Sequence, residues 1–198
     1  LEFRRVLFRS NLSVLSRIFA EGFGADLVSV GELERAILAG VEPGKVVFSG
    51  VGKRSDEIRR ALQVGILTFN VESGYELEYI STLAKEAGKV ASVSLRVNPN
   101  IDAKTNEKIA TGLYTTKFGL PEEELAPLLA RIAQDRNLAL AGIGCHIGSQ
   151  ITELGPLRDA AQRMAKIAGG LIATGHELRH LDMGGGRSEE HTAELQSH

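Results

Sequence analysis

Cysteine and tryptophan are scarce in this sequence of 198 residues, which contains one cysteine, Cys145, and no tryptophan. A single cysteine excludes a disulfide framework within the chain and a zinc site built on several cysteines. No apolar run approaches the roughly 18 residues that a membrane-spanning helix requires. An excess of one charge is also lacking, because the net charge is only -2. The clustered basic surface that nucleic-acid binding requires is therefore not expected.

The two ends of the chain resemble one DNA segment read in opposite directions. Leu7-Phe8-Arg9-Ser10 can be written CTC TTC CGA TCT, and the reverse complement of that DNA encodes Arg187-Ser188-Glu189-Glu190. The same relation extends outward from both segments with one mismatch. An inverted repeat of this kind resembles a translated sequencing adapter, which is set aside before the fold is considered. We therefore expect residues 1–10 and 187–198 to be adapter-derived and residues 11–186 to be the natural segment.

Short apolar runs rich in β-branched residues alternate with longer segments of helical period. The apolar runs are typical of parallel strands that are buried on both faces. The predicted strands are Ala25–Val30, Lys45–Ser49, Leu67–Val71, Ala91–Val97, Ala139–Ile147 and His180–Met183. The predicted helices are Leu12–Ala20, Glu32–Ala39, Asp56–Val64, Tyr75–Ala87, Glu122–Ala133 and Leu157–Ala173. This alternation indicates successive right-handed βαβ units.

Capping residues predict where two of these helices begin. Ser73 and Glu76 have the spacing of a capping box, in which each side chain accepts a hydrogen bond from the other residue's N–H. Ser55 is placed to cap the helix that opens with Asp56 and Glu57, whose carboxylates favour the positive end of the helix dipole.

Two α/β folds fit this alternation, an open doubly wound sheet and a (β/α) barrel. A dinucleotide-binding open sheet requires a G-x-G-x-x-G loop, and the nearest candidate, Gly50-Val51-Gly52, lacks the third glycine. A barrel instead collects functional groups at the C-terminal ends of its strands. Polar residues on or after the predicted strands fit that rule: Asp26, Ser29, Ser49, Glu72, Arg96, Asn98, His146, Ser149 and Asp182. The sequence therefore predicts an incomplete (β/α)8 barrel of the TIM type.

Two segments at strand ends contain candidate ligand-binding groups. Gly184-Gly185-Gly186 could cradle a phosphate, because glycine lets backbone N–H groups approach phosphate oxygens closely; a flexible turn is the alternative. The His146 imidazole can stack on a flat ring or move protons, and Ser149 suits a phosphate oxygen. A histidine whose hydrogen bonds are satisfied at a strand end is the alternative. Cys145 is interpreted as a small buried residue rather than a nucleophile.

Charged residues near the strand ends have two interpretations each. Arg96 could hold a carboxylate or phosphate, or it could form an ion pair between adjacent strands. Asp26 could orient a histidine or accept a hydrogen bond from an amine, and a solvated turn carboxylate is the alternative. Lys53 and Lys117 could each meet an anion, although lysine is more often a surface charge. No spacing of His, Asp and Glu suggests a metal site.

Eight short sequence motifs together resemble those of one family. They are Asn11-Leu12-Ser13-Val14-Leu15, Gly24-Ala25-Asp26-Leu27-Val28-Ser29, Phe48-Ser49-Gly50-Val51-Gly52-Lys53, Phe69-Asn70-Val71-Glu72-Ser73, Arg96-Val97-Asn98-Pro99, Lys117-Phe118-Gly119, Cys145-His146-Ile147-Gly148-Ser149-Gln150 and Leu181-Asp182-Met183-Gly184-Gly185-Gly186. In this order they resemble the diaminopimelate decarboxylases, which are pyridoxal-phosphate enzymes of the alanine racemase-like barrel class. The resemblance covers essentially all of residues 11–186.

This resemblance implies a site for pyridoxal 5'-phosphate. His146 would stack on the pyridine ring, and Ser149 would hold the phosphate together with Gly184-Gly185-Gly186. Asp26 and Arg96 would lie around the ring and His146. The implied reaction removes the carboxylate at the D-configured centre of meso-2,6-diaminopimelate and gives L-lysine, with the cofactor as electron sink. The implied protein is a cytoplasmic homodimer that acts on a small amino acid and has no nucleic-acid or membrane partner.

The sequence departs from this family at both ends. By spacing, the family's Schiff-base lysine would fall at position 7, which holds Leu7, and no lysine precedes Lys45. The first barrel strand would precede Asn11, and the last part of the barrel and a C-terminal β domain would follow Gly186. We therefore expect a fragment without activity of its own. Two alternatives are a sibling decarboxylase acting on arginine, ornithine or carboxynorspermidine, and a non-catalytic homologue resembling an antizyme inhibitor.

Overall fold

The computed structural model describes residues 11–101, 118–149 and 151–186. Helices and strands alternate along these residues, as predicted. The helices are α1 (Leu12–Ala20), α2 (Val30–Leu38), α3 (Ser55–Val64), α4 (Gly74–Glu86), α5 (Leu125–Gln134) and α6 (Leu154–Ala173). The strands are β1 (Ala25–Leu27), β2 (Val46–Phe48), β3 (Thr68–Val71), β4 (Ala91–Arg96), β5 (Leu138–Gly144) and β6 (His180–Asp182). Short 3-10 turns at Pro43–Lys45 and Glu122–Glu124 precede β2 and α5.

The six strands form one sheet in the order β1-β2-β3-β4-β5-β6, which is also their order along the chain. The pairs β1/β2, β2/β3 and β5/β6 are parallel, and Val47 lies beside both Asp26 and Thr68. Parallel strands that follow one another in chain order are the repeat of a (β/α) barrel, whereas a doubly wound sheet changes direction at a switch point. The predicted fold class, an incomplete barrel of the TIM type, is confirmed.

The described residues form two compact units. The first contains the residues up to Ser94 together with Leu128–Ala141, and the second contains Leu95–Pro127 and the residues from Gly142 onward. Asp26 lies in the first unit. The second unit contains the other predicted site residues, which are Arg96, His146, Ser149, Gly184, Gly185 and Gly186.

Strands β2 and β3 are buried along their whole length, as predicted, but part of what they bury is polar. On one face the Thr68 hydroxyl donates to the Ser94 hydroxyl at 3.1 Å, and both residues are fully buried. Asn70 shares this face, because side chains alternate along a strand. The opposite face is apolar and includes Phe48 and Phe69, whose ring centroids lie 6.2 Å apart. One face is therefore stabilised by apolar packing, and on the other face small polar groups bond to each other.

The capping box predicted at the start of α4 is present in a shifted form. Ser73 caps the helix by accepting a hydrogen bond from the Glu76 N–H at 3.1 Å. The Glu76 carboxylate accepts from the N–H of Glu72 at 2.8 Å, so the reciprocal bond reaches one residue further back than predicted. Both bonds satisfy N–H groups at a helix start that have no partner within the helix.

The start of α2 uses the same arrangement and shortens β1. Ser29 accepts from the Glu32 N–H at 3.3 Å, and the Glu32 carboxylate accepts from the Val28 N–H at 2.7 Å. Because Ser29 caps the helix, β1 ends at Leu27, three residues before the predicted end at Val30.

Ser55 does not cap α3, so that prediction is wrong. Ser55 is the first helical residue, and Arg54 occupies the capping position. The Glu57 carboxylate accepts hydrogen bonds from the Arg54 N–H at 3.0 Å and from the Val30 N–H at 3.1 Å. A buried glutamate thus replaces serine as the capping group, and it also ties the start of α3 to the start of α2.

Lys53 is buried, so the interpretation as a surface charge is wrong. Its ammonium donates to the carbonyls of Gly50 and Asn70 and to the carboxylate of Glu76, each at 2.7 Å. The side chain of Lys53 is 1% exposed, and that of Glu76 is 12% exposed. These bonds use all three donor hydrogens of the ammonium. Lys53 therefore ties the loop after β2 to the end of β3 and the start of α4. Lys117 lies outside the described residues.

We expect Lys53→Met to lower the free energy of unfolding by about 3 kcal/mol, because removal of one partner leaves the other charge buried and uncompensated. Urea unfolding followed by circular dichroism measures this change. The matched control is Lys45→Met, because the Lys45 ammonium pairs with Glu42 at 3.0 Å but its side chain is 44% exposed. Such surface pairs contribute at most about 1 kcal/mol. Equal losses in the two variants would contradict the role assigned to Lys53.

Candidate functional site

His146 follows β5 and is oriented by the glycine turn that follows β6. The Gly185 N–H donates to His146 Nδ1 at 3.3 Å. An Nδ1 atom that accepts a hydrogen bond carries no proton, so the neutral imidazole has its hydrogen on Nε2. His146 is half-buried. The ring is therefore held in one orientation and remains partly accessible.

Gly184 and Gly186 allow the glycine turn to approach the end of β5. Their φ angles are +64° and +91°, which side chains of L residues rarely adopt. A Cβ atom on Gly184 would lie 3.0 Å from His146 Nδ1 and would overlap the Cys145 carbonyl oxygen. A Cβ atom on Gly186 would overlap the Gly148 carbonyl oxygen. The backbone can come this close to His146 only because both positions lack a side chain.

Asp182 holds the glycine turn in place, although the sequence suggested no such role. Its Oδ1 atom accepts from the Gly184 N–H at 2.7 Å, and its carbonyl accepts from the Cys145 N–H at 2.9 Å. On the other side of the turn, the Gly186 carbonyl accepts from the Ile151 N–H at 2.7 Å. The N–H groups of Gly184 and Gly185 thus already donate to acceptors within the protein.

Arg96 ends β4 and lies over the ring of Phe118. Its guanidinium carbon is 5.5 Å from the ring centroid, the geometry of a cation–π contact. The Phe118 segment is held beside β4 by the Leu120 N–H, which donates to the Arg96 carbonyl at 2.7 Å. The Asn98 side chain also donates to the Phe118 carbonyl, at 3.3 Å. A packed segment therefore supports the guanidinium at the strand end.

Cys145 is a buried thiol between two charged residues, as the sequence interpretation required. It is 2% exposed. Burial raises the pKa of the Cys145 thiol to about 12; the charge of Asp182 also raises it, and the charge of Arg96 lowers it. Because the nucleophile is the thiolate, Cys145 is not prepared for nucleophilic attack.

Asp26 lies in the first unit and accepts a hydrogen bond from a residue at the end of the neighbouring strand. Its Oδ1 atom accepts from the Ser49 hydroxyl at 2.6 Å. The Ser49 oxygen in turn accepts from Asn70 Nδ2 at 2.9 Å. Asp26 is exposed, whereas Asn70 is 5% exposed. The carboxylate is therefore accessible to a ligand while its support is buried.

The second unit brings the predicted glycines and His146 into contact, and it also contains Ser149 and Arg96. Asp26 accepts from Ser49 in the first unit, and Gln150 lies outside the described residues. Within the described ranges, no group of three or more His, Cys, Asp or Glu side chains could hold a metal ion. None of the helices α1 to α6 is long and apolar enough to cross a membrane.

A family model described as the pyridoxal-binding domain of pyridoxal-dependent decarboxylases matches residues 6–198. The chain belongs to the pyridoxal-dependent decarboxylase family. The matched range includes most of the residues for which an adapter origin is predicted, so that origin stays a prediction.

Relatives within the decarboxylase family differ in how closely they resemble the chain. The diaminopimelate decarboxylase of Pseudomonas aeruginosa is 51% identical over 177 residues, which are 89% of this chain and 43% of that protein. A crystal structure of Helicobacter pylori diaminopimelate decarboxylase complexed with L-lysine has a TM-score of 0.86 at 45% identity, and the match covers 92% of this chain and 48% of that chain. The Paramecium bursaria Chlorella virus arginine decarboxylase bound to agmatine has a TM-score of 0.74 at 25% identity, with 90% and 47% covered. The chain thus spans less than half the length of these decarboxylases.

The sequence places Ser49 and Asp182 at strand ends but assigns neither of them a supporting role, and it does not single out Asn70. Asn70 could have been found from the alternation of polar and apolar residues in Thr68-Phe69-Asn70-Val71. Asp182 precedes the glycines by two residues, a spacing at which an Asp side chain can accept from a backbone N–H. These signals place polar side chains at strand ends but do not name their partners.

We expect Cys145 to resist thiol reagents in the folded protein at mildly alkaline pH. With a pKa of about 12, the group remains a protonated thiol until the pH approaches that value, so the reactive thiolate is scarce below it. In urea the thiol should react as one equivalent, because an unperturbed cysteine has a pKa of about 8.5. A colorimetric thiol assay with and without urea measures both rates. Rapid labelling of the folded protein would contradict the buried position.

We expect Gly184→Ala to lower the free energy of unfolding by about 1–3 kcal/mol, because a side chain at positive φ is strained and would overlap the Cys145 carbonyl. Thermal and urea unfolding measure the loss. The matched control is Gly155→Ala, where a Cβ atom would meet nothing within 4 Å. Alanine there should be neutral or stabilising by about 0.5–1 kcal/mol, because Gly155 lies within α6. A stable Gly184→Ala protein would show that the turn does not approach β5 as described.

Proposed function

We propose that this chain is the pyridoxal-binding part of a diaminopimelate decarboxylase, which converts meso-2,6-diaminopimelate to L-lysine and CO2. The observation that carries the proposal is the difference in identity within the family. The relatives with the highest identities, 45–51%, are diaminopimelate decarboxylases, and other structures of that enzyme are 29–35% identical, whereas a lysine decarboxylase and the viral arginine decarboxylase are 26% and 25% identical. The sibling activities considered from the sequence are therefore less well supported.

The residues of the second unit have chemistry that suits pyridoxal phosphate. The flat pyridine ring can stack on another flat ring that has a fixed orientation. The His146 ring is held by a hydrogen bond from the Gly185 N–H. A phosphate needs close backbone approach and a hydroxyl donor, which the positive-φ turn at Gly184 and Gly186 and the half-buried Ser149 can supply. The Arg96 guanidinium adds positive charge at the end of β4. We propose that these groups hold the cofactor, with His146 stacked on the ring.

Each of these residues would contribute to cofactor binding in a different way. Because two glycine N–H groups already donate within the protein, the turn contributes mainly its close approach and its hold on His146. Ser149 donates its hydroxyl to the phosphate. We assign Asp26 a place around the ring on the basis of the family resemblance. When bound, the cofactor would accept the electron pair left on the substrate carbon after CO2 departs.

The active protein that we propose is the longer decarboxylase, a cytoplasmic homodimer. The chain spans 43–48% of the length of its relatives. Leu7 stands where the resemblance places the lysine that anchors the cofactor. We therefore propose that the chain of 198 residues has no decarboxylase activity by itself.

The test uses the protein encoded by the complete gene, with its natural residues in place of those predicted to be adapter-derived. The purified protein should absorb in the visible range as a pyridoxal-phosphate enzyme and should release CO2 from meso-2,6-diaminopimelate, with lysine as the second product. Arginine and ornithine should be poor substrates, measured by kcat/KM. A higher kcat/KM with either of them would contradict the proposed substrate, and a colourless, inactive protein would support the non-catalytic alternative.

We expect His146→Ala in the same protein to weaken binding of pyridoxal phosphate by about tenfold or more, because stacking of an aromatic side chain on a ring contributes roughly 1–3 kcal/mol. Titration of the cofactor-free protein by absorbance gives the Kd. The matched control is His176→Ala, since His176 is also half-buried but lies in the loop after α6. The same loss in both variants would contradict a specific role for His146.

A further inference from the structure

The ends of β1, β2 and β3 are joined by a chain of hydrogen bonds that the proposed function does not use. The Ser49 hydroxyl donates to Asp26 at 2.6 Å, and Asn70 donates to Ser49 at 2.9 Å. The three residues are 23 and 21 positions apart in sequence. We call this chain of bonds the Asn70–Ser49–Asp26 relay.

The hydrogen atoms available in the relay give it one direction. A serine hydroxyl has a single hydrogen to donate. An ionised Asp26 has none, so the Ser49 hydrogen must point to Asp26. The Ser49 oxygen must then accept from Asn70, which places the Asn70 amide nitrogen, not its oxygen, towards Ser49. In this direction Asp26 accepts a hydrogen bond at its Oδ1 atom.

The backbone that carries the relay is held by the buried lysine. Lys53 donates to the carbonyl of Gly50, which follows Ser49, and to the carbonyl of Asn70 itself, both at 2.7 Å. The two supporting side chains therefore project from backbone that cannot shift without breaking bonds to a desolvated ammonium. Asp26 is exposed at the end of this arrangement, where it can meet a ligand.

We infer that Ser49 and Asn70 are positioning residues that hold Asp26 in one orientation as an ionised acceptor. The inference rests on the proposed function, in which Asp26 lies around the cofactor ring. With its Oδ1 atom fixed by Ser49, the Asp26 carboxylate presents its charge to the cofactor in a defined position.

The test uses the full-length protein and measures pyridoxal phosphate binding rather than turnover. We expect Ser49→Ala to weaken binding by about tenfold, the order expected for loss of a hydrogen bond to a charged group. Ser49→Thr keeps a hydroxyl and should restore binding towards the wild-type value. Asp26→Ala should weaken binding at least as much as Ser49→Ala. In the Asp26→Ala background, Ser49→Ala should have no further effect, because the relay would no longer end on a carboxylate.

Thr68→Val is the matched control. It removes a buried hydroxyl on the same face that bonds to Ser94 and not to Asp26. Its cofactor Kd should match that of the wild type, while its thermal stability falls at least as much as that of Ser49→Ala. Wild-type affinity in Ser49→Ala, or an undiminished effect of Ser49→Ala in the Asp26→Ala background, would overturn the inference. Absence of cofactor binding by the wild type would instead overturn the proposed function.

Discussion

The Lys53 ammonium is surrounded by the carbonyls of Gly50 and Asn70 and the carboxylate of Glu76, and its side chain is almost entirely shielded from solvent. A cation in such a place is stable only while every donor hydrogen has an acceptor. This requirement binds three separate segments to one another. If any of these segments moved, the ammonium would lose a hydrogen-bond acceptor, and water could not replace that acceptor at a buried site. The ends of β2 and β3 therefore keep the spacing on which the relay to Asp26 depends.

In the second unit, close approach of the backbone fixes the position of His146. There, two glycines at positive φ let the turn after β6 approach the end of β5, and Asp182 holds that turn through the Gly184 N–H. His146 Nδ1 then accepts from a backbone donor, the Gly185 N–H.

The order of the elements could be predicted because each has a strong local period. Every predicted strand and helix is present, and most boundaries shift by one to three residues. Two of these shifts are set by helix capping. At β1, Ser29 was read as part of the strand, although it accepts from the Glu32 N–H and starts α2. At α3, Glu57 caps from within the first turn, so the serine before it is not needed.

Contacts between distant residues could not be predicted in the same way. The glycines, His146 and Ser149 were found because they lie close together on a strand end or in a short motif. The relay joins residues 21 and 23 positions apart, and only the register of β1, β2 and β3 brings them together. The burial of Lys53 has the same origin, because a lysine in a glycine-rich loop reads as a surface charge until the neighbouring strand and helix are in place.

The comparison with family members separates what the backbone determines from what the side chains determine. An arginine decarboxylase shares the backbone of this segment almost as well as a diaminopimelate decarboxylase does, but with far fewer identical residues. A backbone common to enzymes with different substrates can place a cofactor, but it cannot by itself choose the amino acid. Substrate choice must then depend on side chains.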